Sequence, residues 1–233
     1  MELMRRTFSL VFALALTIAS HGSRAAQPTP ILVELFTSEG CVDCPPADAV
    51  LQKLIDTQPV GGAEIIGLGQ HVDYWDQLGW KDRFSLVDGR LEFVGSDAAA
   101  ARRAIGRSLT TPHGTLTITV DTMMADRVGV SVRATDLPAP GRGDRADIIV
   151  AVTEDQLRSD VKRGENHGRV LTHAAVVRSM VTIGDAGAAP AQADIPLAAD
   201  WQREHLKLVA FVQERNGRGV VASASVSLQN ARR

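Results

Sequence analysis

The chain contains only two cysteines, and they stand three positions apart in Cys41-Val-Asp-Cys44-Pro-Pro, between a run that reads as a strand and a run that reads as a helix. Upstream, Ile31-Leu-Val-Glu-Leu-Phe36 is short, apolar and rich in branched and aromatic residues, with Pro28 and Pro30 before it, which is the pattern of a buried strand. Thr37-Ser-Glu-Gly40 turns the chain. Downstream, the two prolines suit the first turn of a helix, and Ala47, Val50, Leu51, Leu54 and Ile55 recur at helical spacing. Pro59-Val-Gly-Gly62 ends that helix and Ala63-Glu-Ile-Ile-Gly-Leu-Gly69 reads as a second strand, so the three elements form a βαβ unit whose parallel strands are neighbours. The cysteine pair thus lies where a strand hands over to a helix, and His71-Val-Asp-Tyr-Trp75 leaves the second strand at the same end.

Phe84-Ser-Leu-Val87 and Arg90-Leu-Glu-Phe-Val94 flank Asp88-Gly89, a pair that supplies the positive φ angles of a tight hairpin turn, and a helix from Asp97 to about Arg107 follows. The order β-α-β, hairpin, helix is the thioredoxin-type arrangement in compressed form. From Thr115 the period becomes two: Leu116, Ile118 and Val120 alternate with threonines, Val128, Val130 and Val132 with Gly, Ser and Arg, and Ile148, Val150 and Val152 repeat the pattern. Leu206 to Val212 and Val220 to Val226 form the arms of a hairpin around Asn216-Gly217, and Val170 to Ile183 adds a further strand. About six strands separated by turn-rich segments predict an antiparallel sandwich. Leu137 to Gly143 and Gly184 to Pro196, rich in Ala, Gly and Pro, read as surface loops. The expected fold class is therefore α/β plus all-β: a shortened thioredoxin-like domain over residues 27–110 and a β-sandwich-like domain over 114–230.

Residues 1–25 have the three parts of a secretory signal: Arg5 and Arg6, an apolar stretch from Phe8 to Ala19, and small residues around Ser23-Arg24-Ala25. The expected location is periplasmic or secreted. No later apolar run approaches the ~18 residues of a membrane span, so no stable membrane insertion is expected once the leader is cut. A net charge of -2 disfavours a nucleic-acid partner.

In an oxidising compartment Cys41 and Cys44 can bridge only each other within one chain, and so short a loop gains little chain entropy from closure. Redox chemistry explains the spacing better than stapling does. A helix N-terminus stabilises a thiolate through its unsatisfied N–H groups and its dipole. Cys41 is the candidate nucleophile, and Cys44, one turn on, is the partner that resolves a mixed disulfide. The expected partners are protein thiols or disulfides. Glu34 interrupts the apolar strand and has two readings, an inward proton acceptor for the resolving thiol or an acid that reaches water at a strand edge. Asp43 and Glu39 oppose the helix effect on thiolate formation. His71, Asp73, Tyr74, Trp75 and Trp80 form the densest aromatic patch in a chain with 4% aromatics, either a wall that contacts substrate peptide or the packing of a long connection. Zinc lacks its four ligands. Cys41, Cys44 and His71 together make a soft site suited to copper(I), a minor alternative. No GxSxG, P-loop or GxGxxG motif is present, so no cofactor is assigned. Gly164-Glu-Asn-His-Gly168 reads as a solvated hairpin end, although Asn166 or His167 in it is of a type that can serve a site.

Glu34-Leu-Phe-Thr-Ser-Glu-Gly-Cys-Val-Asp-Cys-Pro-Pro-Ala-Asp48 closely resembles the signature of an uncharacterised family of exported bacterial thioredoxin-like proteins, known as a domain of unknown function. The resemblance continues through His71 to Trp75, Leu78 to Asp82, Asp88 to Asp97 and Gly164 to Gly168, and so spans nearly the whole chain after the leader. It implies a thioredoxin-like domain followed by a β-rich domain. The chain departs from that pattern after Trp80-Lys-Asp82, where family members carry a helix and a Thr-Pro segment whose cis-proline faces the cysteines; here Lys81 to Val87 runs straight into the hairpin. The loss predicts one under-covered sheet face and a weakened peptide-pairing edge beside Cys41. The alternative to a weakened oxidoreductase is a non-catalytic binding module with a structural Cys41–Cys44 bridge.

Overall fold

The computed structural model describes residues 27–71, 84–187 and 190–229, and the leader, Asp73, Tyr74, Trp75 and Trp80 lie outside them. The fold is mostly β, built around one large mixed sheet. Strand β1 (Thr29–Thr37) runs into helix α1 (Cys44–Thr57) and then β2 (Ala63–His71), which pairs with β1 in parallel as expected. The hairpin β3 (Phe84–Val87) and β4 (Leu91–Val94) lies on the other side of β1, antiparallel to it. Helix α2 (Ala98–Ser108) follows, its N-terminus capped by the Asp97 carboxylate, which accepts from the Ala99 and Ala100 amides.

The remaining strands are β5 (Thr115–Met123), β6 (Arg127–Thr135), β7 (Ala146–Glu154), β8 (Leu157–Asp160), β9 (Val170–His173), β10 (Val176–Asp185), β11 (Ala191–Pro196), β12 (Leu206–Glu214) and β13 (Val220–Ser227). The large sheet runs β13-β12-β7-β10-β2-β1-β3-β4, so strands from both expected segments share it. A second sheet is β11-β6-β5, and β8-β9 is a separate hairpin. The link between the two ends of the large sheet is short: Val176 of β10 pairs with Gly69 of β2, and the Gly69 amide donates to the Ala175 carbonyl at 2.7 Å. A Cβ at Gly69 would stand 2.9 Å from the Ala174 carbonyl oxygen, so the approach needs glycine.

Three apolar layers follow from strand alternation. Ile31, Val33 and Leu35 of β1 pack with Leu51 and Leu54 of α1 and Ala101 and Ile105 of α2. On the opposite face, Leu32 of β1 with Ile66 and Leu68 of β2 packs against Ala151 of β7, Val209 and Phe211 of β12, and Val220. The alternate residues of β12, Leu206, Leu208, Ala210 and Val212, then face Val128, Val130 and Val132 of β6. Strands β1 and β12 are therefore buried on both faces, which is why their sequences are nearly continuous apolar runs. The expectation of an under-covered sheet face is corrected by this middle layer: β7, β12 and β13 occupy the face on which a helix was thought to be missing.

At the β3–β4 turn Asp88 and Gly89 have φ of 48° and 64°, the conformation that Asp-Gly predicts. A Cβ on Gly89 would lie 2.2 Å from the Arg218 carbonyl oxygen, because this turn abuts the β12–β13 loop. The buried Asp88 carboxylate gathers three donors: the Leu32 amide at 2.9 Å, the Ser108 hydroxyl, and His113 Nε2 at 3.0 Å. It thereby ties β1, the end of α2 and the connection to β5 into one node.

Two readings of the C-terminal region are corrected. Gly184 to Pro196 is not all loop, since Ala191, Ala193 and Ile195 alternate with polar residues and pair along β6, with Ile195 only 1% exposed. Alanine-rich composition hid a period of two. Val170 to Ile183 is two strands rather than one, broken at Ala174 and Ala175, the latter with φ of 50°. The first piece pairs with β8 instead of joining the large sheet.

Candidate functional site

Strand β1 ends against a turn in which the Cys41 amide donates to the Ser38 carbonyl at 3.3 Å and the Cys44 amide to the Cys41 carbonyl at 3.3 Å. Pro45 and Pro46 then occupy the first turn of α1, where their fixed φ suits the helix and no intrahelical amide is lost. The two cysteines are joined in a disulfide, with Cα atoms 5.4 Å apart. Cys41 is half-buried, whereas Cys44 is 5% exposed. A cleft of about 120 Å³ opens beside them, with Leu35, Pro46, Val94 and Gly95 in its walls. Val42 and Val94 present exposed apolar side chains next to it. The geometry is that of an accessible sulfur at a helix N-terminus bonded to a shielded one, an arrangement in which an incoming thiolate reaches Cys41 first.

The Gly164-Glu-Asn-His-Gly168 loop sits on this site, and its reading as a solvated hairpin end is corrected. Asn166 is 0% exposed. Its side-chain amide donates to the Glu39 carbonyl at 2.9 Å and the Cys41 carbonyl at 2.8 Å, while its Oδ1 accepts from Arg169 at 2.8 Å. The Val42 amide donates to the Glu165 carboxylate at 3.1 Å. The turn that carries Cys41 is thus held by residues more than 120 positions away in the chain, a contact with no local signature beyond the flanking glycines.

His71, at the end of β2, stands edge-on to His173 of β9, ring centroids 4.6 Å apart at 82°. Burial first, and then the charge of the neighbouring His173, hold His71 below the ordinary imidazole value. His173 is 4% exposed and lies among Ser159 Oγ at 3.2 Å, Glu39 at 3.6 Å and Asp48 at 3.7 Å. Asp48, four residues after Cys44, is itself buried on the packed face of α1. Sequence reasoning missed Asp48 and His173 as site residues; the available signal was an acid placed among the apolar positions of α1.

Glu34 is buried, but strand alternation sets it on the face opposite Leu35, away from α1 and its cysteines. Its Oε2 accepts from Gln70 at 3.1 Å and its Oε1 has no hydrogen-bond partner among the described residues. Burial raises its pKa, against a lowering by Gln70. The inward orientation considered for Glu34 is present, yet it points into the β layer rather than beside the resolving thiol. Among the described residues no three of His, Cys, Asp or Glu converge to hold a metal ion. No described helix is long and apolar enough to cross a membrane.

Residues 32–86 and 85–213 match the family described as protein of unknown function, DUF1223. The chain belongs to the DUF1223 family. The two matched stretches meet within β3. The protein AGR_C_4864 from Agrobacterium tumefaciens shares the fold, with a TM-score of 0.58 and 22% identity over 87% of this DUF1223 chain and 96% of that one. A domain of the outer membrane lipoprotein Omp28 from Porphyromonas gingivalis aligns with a TM-score of 0.33 at 13% identity, over 50% of this chain and 88% of that one. No protein in the curated set matches the sequence.

Proposed function

We propose that the protein is an exported thiol–disulfide exchange protein whose N-terminal unit is of thioredoxin type. The observation that carries this reading is the half-exposed Cys41 bonded to a buried Cys44 at the N-terminus of α1. The strand order β2-β1-β3-β4 supports it, with β2 parallel to β1, the hairpin antiparallel, and α1 and α2 packed on one face. The sequence supports export through its basic and apolar leader.

In the oxidised form a substrate thiolate attacks Cys41 Sγ, the bond to Cys44 breaks, and Cys44 leaves as a thiolate that takes up a proton. A second substrate thiolate then attacks the mixed disulfide, leaving Cys41 as the thiolate and releasing the substrate as a disulfide. The same steps in reverse reduce a substrate. The helix N-terminus stabilises the charge on sulfur in both directions.

A second reading has its own support: Asn166 and Glu165 pin the segment around Cys41, as suits a structural bridge. Equilibration of the purified mature protein in glutathione buffers, followed by thiol trapping, separates the two. Exchange predicts a reduction potential above about -300 mV, together with loss of insulin reduction in Cys41→Ser; a value below about -300 mV establishes the structural bridge instead.

A further inference from the structure

Exchange at Cys41 and Cys44 requires a group that takes the Cys44 proton when this sulfur attacks and returns it when the sulfur leaves. Glu34 faces the other side of the sheet. Glu39 has a side chain 42% exposed, so water competes for it. Asp48 is different. It lies one helical turn beyond Cys44, both residues are buried on the same face of α1, and side chains at this spacing are neighbours.

The Asp48 carboxylate also has a partner from a distant part of the chain. His173 Nδ1, which has no hydrogen-bond partner among the described residues, is 3.7 Å from Asp48 Oδ2. Among the described residues, the groups that face this imidazole are Asp48 from α1, Glu39 from the turn before the cysteines, His71 from β2 and Ser159 from β8. Behind Asp48 a cavity of about 360 Å³ runs between α1 and β9, lined by Pro45, Gln52 and Lys53 on one side and Val170 and Thr172 on the other. A shielded acid one helical turn from a shielded sulfur, with a buried imidazole 3.7 Å away and a cavity behind it, has the parts of a proton relay.

We propose that Asp48 is the proton acceptor and donor for Cys44, with His173 as its positioning residue; the assignment rests on the exchange reading above. In the resolving step the Cys44 sulfur forms a bond to Cys41 Sγ, the bond between Cys41 and the substrate sulfur breaks, the Cys44 proton passes to Asp48, and the substrate leaves as a thiolate. In the opposite direction Asp48 returns the proton to the departing Cys44. The β8–β9 hairpin therefore supplies part of the chemistry of a site whose sulfurs belong to α1 and the turn before it.

Two measurements test this. In a Cys41→Ser background the rate of Cys44 alkylation by iodoacetamide is followed against pH. Asp48→Asn removes a negative charge beside the developing thiolate and is expected to move the alkylation midpoint to lower pH, with His173→Gln moving it by a different amount. In the two-cysteine protein, reaction of the reduced form with an aromatic disulfide releases one thiolate on attack and a second on resolution. Asp48→Asn is expected to slow the second release about 100-fold at neutral pH and leave the first nearly unchanged. Loss of a charge alone moves the midpoint, whereas only loss of the proton acceptor also lowers the ratio of the second release to the first. Wild-type exchange with a second release as fast in Asp48→Asn as in the wild type overturns the Asp48 assignment alone, whether or not the midpoint moves. A wild-type protein that never releases the second thiolate overturns the exchange reading and the role of Asp48 together.

Discussion

Asn166→Ala tests whether the loop from the C-terminal region holds the cysteine turn. The side chain is fully buried and makes three hydrogen bonds, at 2.9, 2.8 and 2.8 Å, two of them to backbone carbonyls and one from a guanidinium. Neutral bonds contribute about 1 kcal/mol each, and one to a charged group about 1.5–3 kcal/mol. Glu39 and Cys41 are half-buried, so their carbonyls regain some water once the amide is gone. The net cost is about 2–4 kcal/mol, a large part of the ~5–15 kcal/mol that holds a domain folded. Urea unfolding followed by circular dichroism should place the midpoint about 1 M or more below the wild type, given slopes of about 1–3 kcal/mol/M. Asn166→Asp keeps the acceptor for Arg169 but turns a second oxygen toward two carbonyl oxygens, so it should be at least as damaging. A loss under about 0.5 kcal/mol in Asn166→Ala, or an Asn166→Asp variant as stable as the wild type, refutes the clamp.

Leu68→Ala, in the layer between β2 and β12, should cost about 2–5 kcal/mol while leaving a single unfolding transition by both tryptophan fluorescence and circular dichroism. Two separated transitions would show that the middle layer does not couple the two segments. Glu34→Gln should raise the melting temperature at neutral pH, because burial lifts the native pKa above 4.5 and ionising this group destabilises the fold. The gain should vanish below that value, where Glu34 is protonated in both states; an equal gain at pH 3.5 and pH 7 would contradict the assignment. His113 has its pKa raised chiefly by the hydrogen bond to Asp88, so its contribution to stability is full below about 6.5 and is lost as pH rises through the higher native value. His113→Gln should flatten the stability curve across that window, and denaturant titrations at several pH values would detect a slope left intact.

The parts of the fold that were legible in sequence are those written in local pattern. Proline after Cys44 marked the first turn of α1, Asp88-Gly89 marked the β3–β4 hairpin, and the apolar run from Ile31 marked a strand buried on both faces. The partner that buries the second face was not legible, because Leu32 meets Val209 and Phe211 across some 180 residues and nothing in the local period names a distant partner. The same holds at the site. Cys41 and Cys44 announce themselves by spacing, but Asn166 and His173 reach them only through the β8–β9 hairpin, whose strands are four residues each and too short to show a period. For Glu34 the sequence left both burial and direction open, since alternation gives parity but not which faces are covered or which side carries the helix.

The middle layer also constrains the order in which this chain can acquire its structure. Leu32, Ile66 and Leu68 leave the ribosome early, while Val209 and Phe211 of β12 and the residue Val220 follow more than 140 positions later. Until those residues emerge, that face of β1 and β2 has little more than Ala151 of β7 to bury against, and contacts of such high sequence separation form slowly. The middle layer therefore cannot close before the β12–β13 hairpin has been synthesised. The arrival of the β12–β13 hairpin is thus the event that closes the middle layer and seals the half of the sheet from which the cysteine turn departs.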